Sequence, residues 1–331
     1  MRIGIVGTGA IGGTLAALLD RAGHDVEVTA RGEGLAAIRH GGIHLDGAWG
    51  EHVAMVGAAE RLSRTPEIAF VTTKAHDAAS ALRDNGEQLR GITVVIVQNG
   101  LDALEVAAGI LTDSTLVGAL ALYAAQYVEP GHVTVTAPGG TYLGDGAGEP
   151  TDAATSAAAL LASVMPAVAV ENFLGAQWSK LIVNMVNAMP AITGLSVQQT
   201  IHDRALCRVV TASMREAVRI GFASKVRYEN VQGLGNTLLH VFAALPLWAA
   251  RFLPAMMARR MGAVPNLGST LQSRRRGRST EIDYLNGAVV RAARAIARPA
   301  PVNEAIVSTL HELEATGAFL SREAAARLPV R

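Results

Sequence analysis

Residues 2–22 read RIGIVGTGAIGGTLAALLDRA, and this stretch decides the architecture of the first half of the chain. Arg2 to Val6 is a short run rich in Ile and Val, the pattern of a strand buried on both faces. It leads directly into Gly7, Thr8, Gly9, Ala10, Ile11 and Gly12, and an apolar helical stretch then extends to Ala22. Each glycine of the spacing G-x-G-x-x-G has its own physical task. The first permits a tight turn, the second lets the backbone approach a pyrophosphate, and the third lets helix and strand pack closely. The helix start supplies unpaired N–H groups and the positive end of a dipole, both favourable to phosphate. Alone the spacing is weak evidence. A strand before it, and a helix and second strand after it, make it a reading for dinucleotide binding.

Working outward, Val26 to Ala30, Ile68 to Thr73 and Thr93 to Gln98 read as further buried strands, separated by helical patterns at Gly34 to His40 and His76 to Leu89. Such alternation predicts a parallel sheet with crossover helices. From Gly118 to Gly144 closely turned strands predict a mixed edge to that sheet, with Val133 to Ala137 following the Glu129-Pro130-Gly131 turn. Beyond Val170 strand signals fade. Helical patterns cover Leu174 to Ala191, Asp203 to Phe222, Val231 to Met261, Glu281 to Ala297 and Asn303 to Thr316. The expected architecture is an α/β Rossmann-type N-terminal domain over residues 1–170 and an all-α C-terminal domain over residues 171–331.

A chain of 331 residues, half of them hydrophobic and with a formal net charge of +1, has material for two globular cores and no bulk charge demanding an acidic partner. Cys207 is the single cysteine, which excludes an intrachain disulfide and points to the cytoplasm. Met1 runs straight into the first strand, so no secretory leader is expected. The apolar stretch Leu238 to Met257 approaches the length of a spanning helix, but His240, Pro246, Arg251 and Pro254 interrupt it. It reads as a buried or partner-facing helix pair rather than a membrane contact. Arg274, Arg275, Arg276 and Arg278 lack interleaved aromatics and read as a solvated or subunit-facing loop, not a nucleic-acid surface. No metal site is expected.

The second strand ends Val28-Thr29-Ala30-Arg31, with no carboxylate at its tip. An NAD site usually has Asp or Glu there for the ribose 2′-hydroxyl, whereas a guanidinium suits a 2′-phosphate. The expected cofactor is therefore NADP, with Arg31 as its anion ligand.

A dinucleotide enzyme of this build reduces a carbonyl only if a donor protonates the developing alkoxide. None of the nine histidines lies in a pocket motif, and of 29 basic residues only Lys74, Lys180 and Lys225 are lysine. Arginine stays protonated, whereas a buried lysine can have its pKa lowered into the working range. Lys180, Asn184 and Asn187 stand at i, i+4 and i+7, an ammonium and two carboxamides on one helical face among apolar residues. A catalytic face and a helix–helix hydrogen-bond network both satisfy that pattern. Glu281 follows Ser279 and Thr280, either of which can cap a helix, and a first-turn glutamate also has a purely structural explanation.

Taken in order, the chain resembles the ketopantoate reductase family. The resemblance rests on the glycine turn at 7–12, Thr73-Lys74, Gln98-Asn99-Gly100, Lys180 with Asn184, Ser269-Thr270-Leu271-Gln272, Thr280-Glu281-Ile282-Asp283-Tyr284 and Pro301-Val302-Asn303. It implies an active site in a cleft between a Rossmann domain and a helical domain. Lys180 would be the general acid, and Glu281 would bind the substrate hydroxyl and organise the lysine. Asn99, near the nicotinamide, would line the substrate site with Asn184, Asn187, Asn266 and Ser269, and Lys74 would sit against the cofactor. A homodimer is also implied, with the 231–261 segment as candidate contact. The chain departs from the family pattern at Ala188, where an asparagine is common, and in the apolar length of 231–261. The implied reaction is reduction of a small 2-oxo acid, ketopantoate to pantoate in pantothenate biosynthesis. The alternatives are a sister reductase for another 2-oxo acid or ketone, and a non-catalytic NADP(H)-binding sensor.

Overall fold

The computed structural model describes residues 1–261 and 265–330, and the chain divides into two compact units, Met1–Leu174 and Gly175–Arg331. The strands of the first unit are β1 Arg2–Val6, β2 Asp25–Thr29, β3 Ile43–Gly47, β4 His52–Ala54, β5 Gly57–Ala59, β6 Ile68–Val71, β7 Thr93–Val97, β8 Thr115–Ala121, β9 Ala124–Glu129, β10 His132–Ala137, β11 Thr141–Gly144 and β12 Ala167–Ala169. Its helices are α1 Ala10–Arg21, α2 Gly32–Gly41, α3 Ala75–Asp84, α4 Gly86–Leu89, α5 Ala103–Ala108 and α6 Asp152–Ala162. Eight strands form one sheet in the order β12-β11-β8-β7-β6-β1-β2-β5. The pairs from β8 to β5 are parallel, and β11 runs antiparallel to β8, so that edge is mixed.

The stretch Val133 to Ala137 does not belong to that edge. As part of β10 it pairs with β3 and β9 in a second sheet, ordered β4-β3-β10-β9. The cause lies in α1, where Leu15, Ala16, Ala17, Leu18 and Leu19 are all buried. A helix apolar on every side needs cover on every side. The parallel sheet covers one face, and Ile43, Leu45, Val133 and Val135 of the small sheet join the same core on the other. Gly13 permits this approach, since a Cβ there would fall 2.8 Å from Val133 Cγ1. The expected helix His76 to Leu89 is likewise two helices. At the break Asn85 donates from Nδ2 to the Ala81 carbonyl and accepts at Oδ1 from the Leu62 N–H, both at 2.8 Å.

The second unit is helical: α7 Phe173–Asn184, α8 Ala188–Thr193, α9 Val197–His202, α10 Arg204–Ala223, α11 Asn236–Ala244, α12 Leu247–Ala250, α13 Phe252–Arg260, α14 Gly268–Arg275, α15 Asn286–Ala295, α16 Pro301–Thr316 and α17 Arg322–Ala325. Two expected helices are broken at prolines. Pro190 cannot donate to the carbonyl four residues back and crowds it, so Met185–Asn187 tightens into a 3₁₀ turn between α7 and α8. Pro246 divides the apolar 231–261 stretch, which becomes α11 to α13. Among the described residues no helix is long and apolar enough to cross a membrane.

Buried polar side chains lock this unit. Ser213 Oγ donates to Asn303 Oδ1 at 2.8 Å, and Asn286 Nδ2 donates to the same oxygen at 2.8 Å. Helix α16 lacks a cap of its own, and Glu216 of α10 supplies one by accepting from Val302 N at 3.1 Å and Asn303 N at 2.9 Å. Arg274 corrects the expectation of a solvated or subunit-facing arginine loop. It lies on α14 and donates to the carbonyls of Ala191, Leu313 and Ala318, with its guanidinium 4.5 Å from the Phe319 ring centroid. Carbonyls at helix ends have no intrahelical partner, so a multidentate donor is retained among them.

Candidate active site

Because β1, β2, β6 and β7 are mutually parallel, their carboxyl ends share one edge of the sheet. That edge collects the glycine turn after β1, Arg31 after β2, Lys74 after β6 and Asn99 after β7. The order reverses at β1, flanked by β2 and β6, and open α/β sheets bind ligands outside the strand ends at such a switch point.

The turn has the geometry its three glycines require. Gly7 has φ +99°, and a Cβ on it would lie 2.8 Å from Thr73 Cγ2. A Cβ on Gly12 would collide with the Gly7 carbonyl oxygen and Thr72 Oγ1. Gly9 differs, because a Cβ there would meet nothing within 4 Å. The first and third glycines thus serve the fold, while the second leaves open room over the backbone. Gly9 is the N-cap residue of α1 and no side chain caps the helix, so the N–H groups of Ala10 and Ile11 remain at its end for an anion. The loop is held in place: Gly7 N donates to Thr29 Oγ1 at 2.9 Å, Thr8 Oγ1 to the Thr29 carbonyl at 3.2 Å, and Thr72 Oγ1 to the Gly7 carbonyl. Thr73 Oγ1 is buried without a hydrogen-bond partner among the described residues. These features fit a dinucleotide pyrophosphate on residues 7–12.

Arg31 is exposed, immediately beyond β2, and its guanidinium meets Asp84 Oδ2 at 3.0 Å. Arg61 reaches the other oxygen of the same carboxylate at 3.3 Å. Ala30 N donates to the Ala59 carbonyl, so Arg31 and Arg61 follow neighbouring chain segments. Lys74, partly buried, is the N-cap residue of α3; Asn99, also partly buried, precedes Gly100 at φ +93°.

In the second unit Lys180 lies on α7, one turn before the helix ends at Asn184. Trp178 and Ser179 beside it are buried, with Ser179 Oγ donating to the Glu229 carbonyl at 2.6 Å. The ammonium has no hydrogen bond or ion pair among the described residues, and burial pulls its pKa down to about 8. Asn184 and Glu281 are both buried. The 3₁₀ turn carries Asn187 off the α-helical register of Lys180 and Asn184, and its Oδ1 lies against Gly268, which has φ +70°. Asn266 uses its Oδ1 to accept from Gly268 N at 2.8 Å, and Ser269 is exposed on α14. Asn187, Asn266 and Gly268 are thereby gathered at the start of α14. Thr280 accepts from Ile282 N at 3.3 Å, a local cap that leaves Glu281 just before a 3₁₀ turn instead of inside an α-helix.

Sequence reasoning did not identify Thr29 and Thr72, which hold the glycine loop, or Asp84 and Arg61, which share Arg31's surroundings. The threonines sit at strand ends where nothing local marks them, and Asp84 is 53 residues from Arg31.

A doubly wound sheet with an open glycine turn, joined in sequence to a helical unit carrying a lysine of depressed pKa, defines a Rossmann-type oxidoreductase. The family model for ketopantoate reductase PanE/ApbA matches residues 3–148, and that for the PanE/ApbA C terminal matches residues 172–314. The chain belongs to the ketopantoate reductase family. It is 30% identical to the 2-dehydropantoate 2-reductase of Halobacterium salinarum, over 89% of this chain and 92% of that one. With the Archaeoglobus fulgidus protein of the same name the identity is 26%, over 95% and 98% of the two chains. The crystal structure of a PanE/ApbA family ketopantoate reductase from Ralstonia eutropha superposes with TM-score 0.81 at 26% identity, covering 96% of this chain and 99% of the other. D-mandelate dehydrogenase, solved with NADH and anilino(oxo)acetate, has the same TM-score and coverage at 18% identity and so shares the fold.

Proposed function

We propose that the protein reduces the keto group of ketopantoate to the hydroxyl of pantoate, using NADPH. The reading is carried by Lys180, an amine whose pKa of about 8 lets it hold a proton at neutral pH and release it readily. Gly7, Thr8, Gly9, Ala10, Ile11 and Gly12 would hold the pyrophosphate, Lys74 and Asn99 the nicotinamide end, and Arg31 the 2′-phosphate. The contact of Arg31 with Asp84 is solvated on both sides and weak, so a phosphate dianion is able to displace it. The cofactor, when bound, supplies a hydride to the carbonyl carbon. Lys180 then gives its proton to the oxygen, completing the CH–OH group, and is reprotonated from solvent. Glu281 would accept from the substrate hydroxyl and orient the lysine, with Asn99, Asn184, Asn187, Asn266 and Ser269 positioning the carboxylate end. Asn266 already accepts from Gly268 N at its Oδ1, and its Nδ2 is the donor it would offer. The same reading makes the enzyme a cytoplasmic homodimer acting in pantothenate biosynthesis.

One observation favours a second reading, a sister activity on another 2-oxo acid. The D-mandelate dehydrogenase backbone superposes on this chain with the same TM-score of 0.81 as a ketopantoate reductase, at 18% identity against 26%, so the scaffold accommodates either substrate. NADPH oxidation against a panel of 2-oxo acids, by wild type and Lys180→Ala, decides between the two. Ketopantoate turning over fastest and a loss of at least a hundredfold in the variant are expected. Faster turnover of another acid favours the sister activity. Equal rates for variant and wild type refute Lys180 as the donor.

A further inference from the structure

The second unit holds a basic pocket that the reductase chemistry does not use. Arg204 and Arg208 stand one turn apart at the start of α10, and Arg215 follows on the same face. With Arg251, Leu247, Trp248 and Val330 they line a pocket of about 410 Å³, and no carboxylate is among the described lining residues. Two acids stand outside the lining: Asp203 caps α10, accepting from Ala205 N at 2.9 Å and Leu206 N at 3.1 Å, and Glu323 of α17 lies near Asp203. Arg204, Arg208 and Arg251 make no ion pair among the described residues, and Arg251 Nε is buried with no hydrogen-bond partner among them. Arg215 is anchored through the Leu245 carbonyl at 3.0 Å. Trp248, at 79% exposure the most accessible large apolar side chain among the described residues, lies at the same pocket.

Four arginines lining one pocket, with no carboxylate among its described lining residues, repel one another, and helical neighbours of like charge are unfavourable. A multivalent anion removes that repulsion and takes up the fork-shaped donors that arginine offers to phosphate or carboxylate. The volume falls in the range of small-molecule sites, and an exposed indole offers a flat ring a surface to stack on. We propose that this pocket binds a small organic polyanion, with at least two phosphate or carboxylate groups and a flat apolar part resting on Trp248. None of its lining residues is among those assigned to the reaction, although Leu247, Trp248 and Arg251 belong to the 231–261 segment expected to carry the dimer contact.

Calorimetric titration of the full chain, kept saturated with NADP⁺ so that the glycine turn is filled, with pyrophosphate, citrate and guanosine triphosphate tests it. Expected is one site per chain with sub-millimolar affinity for pyrophosphate or citrate, whichever anion the arginines prefer. Binding should weaken at least tenfold in Arg204→Gln/Arg208→Gln, two exposed positions whose change leaves the melting temperature in place, and stay unchanged in Arg31→Ala. The ring-bearing triphosphate should bind more tightly than pyrophosphate, and Trp248→Ala should erase that advantage alone. Absence of binding by all three probes overturns the proposal, as does binding that survives the double variant. So does a wild-type dimer that the double variant dissociates, because the arginines would then face acids of a second copy.

Discussion

Replacing Lys180 by methionine should make the protein more stable and inactive at once. The ammonium is held in surroundings that lower its pKa from 10.5 to about 8. Each pKa unit corresponds to about 1.4 kcal/mol between the two protonation states, so keeping the lysine charged at pH 7 costs about 3 kcal/mol relative to the unfolded chain. Solvent at its partly accessible side trims this figure. The sign follows from proton binding. Between pH 8 and 10.5 the folded protein holds fewer protons here than the unfolded one, so wild-type stability climbs through that window. The cost is full below pH 8 and gone above 10.5. Lys180→Met, of similar length and uncharged, should therefore raise the denaturation free energy by about 2–3 kcal/mol at pH 7, with the gain vanishing near pH 10.5. Urea denaturation at pH 7, 8.5 and 10 measures it, beside the rate of NADPH oxidation, which should fall by about 10²–10⁴. In the wild type kcat/KM for ketone reduction should decline above pH 8 as the donor loses its proton. A variant no more stable than wild type at pH 7, or a gain independent of pH, would refute the buried-amine argument.

The glycines of the turn should separate fold from binding. Gly12→Ala drives a Cβ into the Gly7 carbonyl and should cost about 1–3 kcal/mol or more, read as a lowered Tm. Gly9→Ala meets open space, so Tm should hold while the KM for NADPH rises at least tenfold; unchanged KM would mean that no pyrophosphate approaches there. Asp84→Asn frees Arg31 from an exposed ion pair worth at most about 1 kcal/mol, so NADPH should bind up to about fivefold tighter, with NADH unaffected. Weaker NADPH binding would show that the acid orients Arg31 instead of competing for it. Glu216→Ala strips the first turn of α16 of its cap and should cost about 2–4 kcal/mol in thermal or urea unfolding, with Glu216→Gln losing less. Equal stability of both variants and wild type would remove that role.

The parts legible in the sequence are those whose cause is local. Runs such as Ile3 to Val6 and Val94 to Val97 are apolar without interruption because both faces of a parallel strand are covered, and the glycine turn announces itself by spacing. The small sheet escaped because its strands are short and its central pairing joins β3 to β10, nearly ninety residues apart. A signal was nonetheless present: Leu15 to Leu19 is apolar on every side, and one sheet covers only one side of a helix. The same division runs through the candidate site. Lys180 stood out because a scarce residue type occupied an apolar helix. Asn187 was placed on its face by assuming an unbroken helix, and Pro190, visible three residues on, forbids that continuity. Asp84 and Arg61 were beyond reach, because what matters about them is which loops the topology delivers to the end of β2. The chemistry-bearing residues were thus readable wherever a residue type conflicted with its local pattern, and unreadable wherever their meaning came from a distant partner.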